Sequence, residues 1–202
     1  MVLRLSGGRK LRSPKGEVAR PTTGRMRAAV MNMLAGELGG CRWLELCGGS
    51  GVMACEAIQR GAAAAVVVEK DRRVAEVARA NLEAVASGVA PGIGEAEVEV
   101  VVEDALRFLR RGAEASGRGT FGLIYADPPW RAGLHLELAR EVARGAWLAP
   151  GGTLILECDR WDPPPVPPGW REHRRRAHGS GAVLFWRPEM PDDTTRRFQS
   201  SV

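Results

Sequence analysis

The sequence has no run approaching the roughly 20 apolar residues that a membrane helix needs, and no CxxC pair among its four cysteines. The first absence excludes a helical membrane protein. The second excludes an ordinary zinc site, because the three histidines (His135, His173 and His178) lie far from Cys41, Cys47 and Cys55. No metal is therefore expected. Cysteines scattered in this way fit reduced thiols in a cytoplasmic protein. The opening stretch MVLRLSGGRKLRSPKGE lacks an apolar core, so no signal peptide is expected, although it shares the basic, acid-poor bias of a transit peptide. Internal repeats are absent too.

The 202 residues, 45% of them hydrophobic, are enough for one well-buried domain and too few for two. The formal net charge is +5, and it is unevenly distributed. Residues 1–27 carry eight basic side chains and one acid, Glu17, so the remainder of the chain is slightly acidic. A basic block of this kind suggests a polyanionic partner, with a solvated tail as the alternative.

Short apolar runs alternate with helical patterns. Residues 41–46, 64–69, 97–102, 121–126 and 152–158 read as strands bounded by glycine, proline or acids. Residues 52–60, 72–87, 105–111 and 134–145 read as helices, and a further helix over 24–38 has Thr22 or Thr23 as N-cap. This alternation predicts an α/β, Rossmann-like, mostly parallel twisted sheet with helices on both faces. WREHRRRAH and AVLFWR, around a glycine-rich turn, predict an antiparallel C-terminal hairpin. The expected organisation is a basic segment and helix over 1–38, a catalytic domain over 39–188, and a polar tail over 189–202.

In an open parallel sheet, ligands bind beyond the carboxyl ends of the strands. An acid stands at four such ends: Glu45, Glu69, Asp104 and Asp127. Acids there also cap helices, worth about 0.3–1 kcal/mol each, and for Asp104 alone capping is the preferred reading. The first strand leads into Cys47-Gly48-Gly49-Ser50-Gly51, and residues 49–54 fit the G-x-G-x-x-A fingerprint, with Glu69 an acid further on. The fit alone allows NAD or another adenosine-bearing cofactor. Glu45 separates them, since a carboxylate repels a pyrophosphate but favours the ammonium and sulfonium of S-adenosyl-L-methionine. Glu69 would then accept from the ribose hydroxyls and Asp104 from the adenine amine. Their neighbours Lys70 and Ala105 complete the candidate cofactor set.

The stretch IYADPPW, residues 124–130, ends a strand at an acid, two prolines and an aromatic ring. Pro128 and Pro129 lock the backbone. The Asp127 carboxylate and the Pro128 carbonyl can then bind the hydrogens of an exocyclic amine and aim its lone pair at a methyl donor. Trp130 offers a stacking surface worth roughly 1–3 kcal/mol to a base. An N6-adenine methyltransferase acting on RNA or DNA uses similar motifs and remains the alternative. Cytosine-C5 chemistry needs a thiolate, commonly after proline, and no cysteine here follows one. A noncatalytic RNA-binding module and a dehydrogenase are rivals from other classes.

The acid and GGSG turn, the acid after the second strand and the D-P-P-W motif resemble a class I S-adenosylmethionine-dependent amino-methyltransferase. In order, GGRKL (7–11), RPTTGRMRAAVMNML (20–34), LELCGGSGVMACEAIQRGA (44–62), VEKDR (68–72) and DPPWRAG (127–133) are similar to the RsmD family. The resemblance implies methylation of N2 of a guanine in 16S ribosomal RNA, with naked RNA or a small ribosomal subunit particle as partner, by a monomer. The chain departs from the family pattern at Gly24, Ala28 and the Glu45-Leu46-Cys47-Gly48 start of the first motif. Arg9, Lys10, Arg12, Lys15, Arg20, Arg25 and Arg27, with Thr22 and Thr23, are the expected RNA contacts, placed to form a lid by the cofactor pocket. The target base must be unstacked to reach Asp127.

Overall fold

The computed structural model describes residues 3–14, 23–88 and 96–189. A two-stranded antiparallel hairpin, β1 (Leu3–Arg4) and β2 (Lys10–Leu11), precedes the first helix. Strands of two residues carry no readable alternation, so the sequence does not announce them. Helix α1 (Gly24–Met33) starts at Thr23, whose Oγ1 accepts from the Met26 N–H at 3.3 Å. The expected single helix over 24–38 is in fact two. The chain bends at Leu34, a C-cap with φ −96° and ψ 2°, and resumes as the one-turn α2 (Ala35–Leu38).

The main unit is β3 (Arg42–Leu46), α3 (Val52–Gln59), β4 (Ala64–Glu69), α4 (Arg72–Ala86), β5 (Glu97–Val102), α5 (Ala105–Leu109), β6 (Phe121–Ala126), α6 (His135–Arg144), β7 (Leu148–Asp159), β8 (Trp170–His178) and β9 (Gly181–Pro188). The seven-stranded sheet runs β5-β4-β3-β6-β7-β9-β8. The first five strands are parallel, and β9 and β8 continue the edge antiparallel. Strand order switches between β3 and β6, which opens a crevice at their carboxyl ends. The last parallel strand begins earlier than expected. It takes in Pro150 and Gly151 through a register shift opposite Phe121–Leu123. Gly152 is required there, because a Cβ would sit 2.9 Å from the Ala149 carbonyl.

Each sheet face carries its own core. Trp43, Tyr125, Ile155 and Phe185 pack with α1, α3 and α4 residues on one side. Phe108, Phe121, Trp147 and Trp186 pack with α5 and α6 on the other. The Trp147 indole N–H, fully buried, donates to the Leu109 carbonyl at 2.9 Å, so this large ring leaves no orphan donor. Among the described residues, no helix is long and apolar enough to cross a membrane.

Candidate active site

The crevice at the strand ends is a cavity of about 1120 Å³. Every expected acid reaches it: Glu45, Glu69, Asp104 and Asp127 all line it, with Cys47, Gly48, Gly49, Ser50, Lys70 and Ala105. Gly51 stands just behind as the α3 N-cap, left-handed at φ 70°.

The turn after β3 is tightly built. Cys47 itself is left-handed at φ 55°, an uncommon conformation for a side-chain-bearing residue and one that clusters at functional sites. At Gly48 a Cβ would lie 2.3 Å from Val67 Cγ1, so only glycine lets the turn sit against β4. Glu69 clamps this turn from β4: its Oε2 accepts from the Gly49 N–H and its Oε1 from the Asp71 N–H, both at 2.9 Å. Each oxygen keeps a further lone pair for a hydroxyl. Asp104 caps α5 through Oδ1, which accepts from Leu106 and Arg107. Capping and cavity lining thus coexist at this residue.

Glu45 changes character in the structure. From sequence it reads as a fixed negative charge. It is buried, its Oε2 accepts from the Ala54 N–H at 2.5 Å, and burial pushes it up to about 8 despite that bond. Burial therefore favours its protonated form near neutral pH. Burial likewise lifts Asp127 well above the usual carboxylate range, and the charges of Glu157 and Glu45 add to the effect; the Trp130 indole N–H pulls the other way. The Cys47 thiol is pushed up to about 12 by burial and the surrounding acids, so it stands as a neutral wall group.

Pro128 is buried and Pro129 sits exposed on the cavity rim. Trp130, half-buried at the start of a 3-10 turn, departs from its expected task. Its indole directs the N–H at Asp127, and the ring edge lies 3.7 Å from where a Cβ on Gly181 would stand. It does not line the cavity.

The expected RNA contacts divide. Lys10, Arg12 and Arg25 are exposed. Arg9 is exposed as well, but its guanidinium donates to the Ala84 and Gly88 carbonyls at the end of α4. Arg27 requires correction: it is buried, donates to the Arg4 carbonyl at 2.5 Å, and lies 3.9 Å from the buried Glu56. Glu56 Oε1 also accepts from the Ser6 N–H and hydroxyl, so Arg27 and Glu56 together pin the N-terminal hairpin to α1 and α3. Lys15, Arg20 and Thr22, like the tail beyond residue 189, lie outside the described residues. Leu3, Arg4, Ser13, Pro14, Thr23 and Gly24 form one wall of the cavity.

Sequence reasoning missed two groups. Glu157, buried on β7, accepts from the Tyr125 hydroxyl at 2.5 Å. Its backbone carbonyl also meets His135 Nε2 at 2.9 Å. Glu157 and Tyr125 stand in apolar runs already read as strands, and Glu157 is one more acid near a strand end. Among the described residues, no cluster of three His, Cys, Asp or Glu side chains forms a site able to hold a metal ion.

A parallel sheet with a glycine turn after its first strand, an acid after its second and D-P-P-W at the switch point defines the class I methyltransferase architecture. Comparison with known proteins narrows the class: the chain belongs to the RsmD family, whose model, described as Conserved hypothetical protein 95, matches residues 5–187. It is 32% identical over 189 residues to Ribosomal RNA small subunit methyltransferase D of Escherichia coli (strain K12), covering 93% of this chain and 88% of that one. It is 25% identical over 172 residues to the protein of the same name in Haemophilus influenzae, covering 85% and 84%. Among solved structures it is similar to yhhF from Escherichia coli, with a TM-score of 0.76 and 30% identity, covering 94% of this chain and 99% of that one.

Proposed function

We propose that this protein transfers a methyl group from S-adenosyl-L-methionine to the exocyclic N2 amine of a guanine in 16S ribosomal RNA, in the cytoplasm. The observation that carries the reading is the meeting of Asp127 and the locked prolines with an acid-rich cavity, in a chain of this family. Among the described residues, Glu69, Asp71, Glu103 and Asp104 line that cavity as acids, joined by Glu45 and Asp127 once these ionise, against Arg4, Arg27 and Lys70. That sign suits a cation and opposes a pyrophosphate. Apolar Val52, Met53, Val68 and Leu106 offer a wall for an adenine ring.

When bound, S-adenosyl-L-methionine supplies an electrophilic methyl on a sulfonium. The chain's residues do the rest. Glu69 and Asp104 hold the ribose and adenine; Asp127 and the Pro128 carbonyl fix the amine hydrogens so that the nitrogen lone pair faces the methyl. Residues 1–38 serve as the RNA-binding lid, with Lys10, Arg12 and Arg25 on phosphates, and residues 39–188 as the catalytic unit. The experiment is a paired titration followed by transfer. The protein should bind S-adenosyl-L-methionine and not NAD, and should label small-subunit RNA from a methyl-labelled donor. NAD binding without S-adenosyl-L-methionine binding would overturn the reading.

A further inference from the structure

Three carboxyls and a phenol share one face of the sheet at its carboxyl edge. Glu45 on β3 pairs in register with Tyr125 on β6. Tyr125 pairs with Ile155 on β7, and Ala126 with Leu156, the last rung of the pair; Asp127 and Glu157 follow directly on the two strands, and the Glu157 charge acts on Asp127. Side chains alternate along a strand, which puts Tyr125, Asp127, Ile155 and Glu157 on the same side. Glu157 is buried, and the Tyr125 hydroxyl donates to its Oε2 at 2.5 Å. A donated hydrogen bond favours the charged form of a carboxyl. An acid with a charge-favouring partner therefore stands next to the proposed reacting acid, on a rigid pair of strands.

We propose that Glu157 is a positioning residue for methyl transfer, held by Tyr125, and that its charge governs when Asp127 can take the proton released by the amine. The inference rests on the methyltransferase reading. As the amine lone pair forms the nitrogen–carbon bond, the carbon–sulfur bond breaks and its electron pair stays on sulfur. The nitrogen becomes cationic and gives one proton to the Asp127 carboxylate. An Asp127 that already holds a proton cannot accept it.

The groups facing Asp127 are Glu157 from β7, Glu45 from β3 and the Trp130 N–H, with the neutral Cys47 thiol in the turn beyond. Arg27 and Lys70, on the walls of the same cavity, oppose the acids. His135, at the Glu157 backbone, is held below the usual histidine range by burial and adds no charge near neutral pH. Of the charges acting on Asp127, Glu157 is the largest influence after burial itself. Replacing it by a neutral side chain is therefore expected to lower the pH at which Asp127 ionises.

The test follows the Asp127 side-chain carboxyl by carbon-13 NMR across pH in the cofactor-free protein, its signal assigned by its loss in Asp127→Asn. In Glu157→Gln the midpoint should fall by about one pH unit. In Tyr125→Phe, which weakens the charged form of Glu157 but keeps the ring packing, it should move the same way by less. The acid limb of the single-turnover rate should shift with it. A midpoint unchanged in folded Glu157→Gln overturns the proposal; if that variant does not fold, an unchanged midpoint in Tyr125→Phe overturns it. A wild-type protein that labels no RNA would instead overturn the functional reading, whatever the midpoint does.

Discussion

The acids of the cavity and the bases of the N-terminal segment were legible in the sequence by the same kind of pattern, yet the structure treats them differently. The acids at the ends of β3, β4, β5 and β6 converge on one space, and three of them hold it together through backbone N–H groups. The bases do not act together: Arg27 turns inward to Glu56, Arg9 serves the end of α4, and Lys10, Arg12 and Arg25 face solvent. Strand ends must meet at one edge of a parallel sheet, so topology focuses what they carry. A charged run before the first helix has no such constraint, and its members go wherever a partner lies.

The largest break in this comparison should come at Asp127. Asp127→Ala should lower methyl transfer about 10²–10³-fold while binding of the methyl donor, measured by calorimetry, stays near wild type. The two kinds of arginine should then separate. Arg27→Ala removes one partner of a buried ion pair and should lower unfolding free energy by about 3 kcal/mol in urea titrations. Replacing Lys10, Arg12 and Arg25 together by alanine should leave unfolding within about 0.5 kcal/mol. It should also flatten the dependence of log K on log salt for RNA binding by roughly two to three. An equal loss of stability in both variants would erase the distinction.

A smaller effect sharpens the acid side. With Glu45 raised to about 8 from an ordinary 4.5, the folded state binds the proton more tightly than the unfolded chain. Stability therefore falls as pH rises from 4.5 to 8, because across this window the unfolded chain gains by ionising in water while the folded protein keeps the buried carboxyl protonated. Glu45→Gln should raise the melting temperature of the cofactor-free protein at pH 8 and leave it nearly unchanged below pH 4.5, while weakening donor binding.

What the sequence hid follows from the same physics. Periodicity and composition placed the parallel strands and the helices that cover the sheet, reading α1 and α2 as one. It could not place a two-residue hairpin such as β1–β2, nor foresee the bend at Leu34. The composition of IYADPPW made Asp127 and the prolines conspicuous. Trp130 packs near Gly181, about fifty residues away, a neighbour that is not readable locally. Glu157 escaped because its partner, Tyr125, lies on another strand. Whether Arg27 meets phosphate or Glu56 is likewise a question of tertiary distance, which no charge count contains.

The most direct measurement is to incubate small-subunit RNA with the protein and methyl-labelled S-adenosyl-L-methionine, digest the RNA, and identify the labelled nucleoside. N2-methylguanosine is the expected product. N6-methyladenosine as the labelled product would contradict the guanine assignment, and absence of label in RNA or subunit particles would contradict the proposed activity itself.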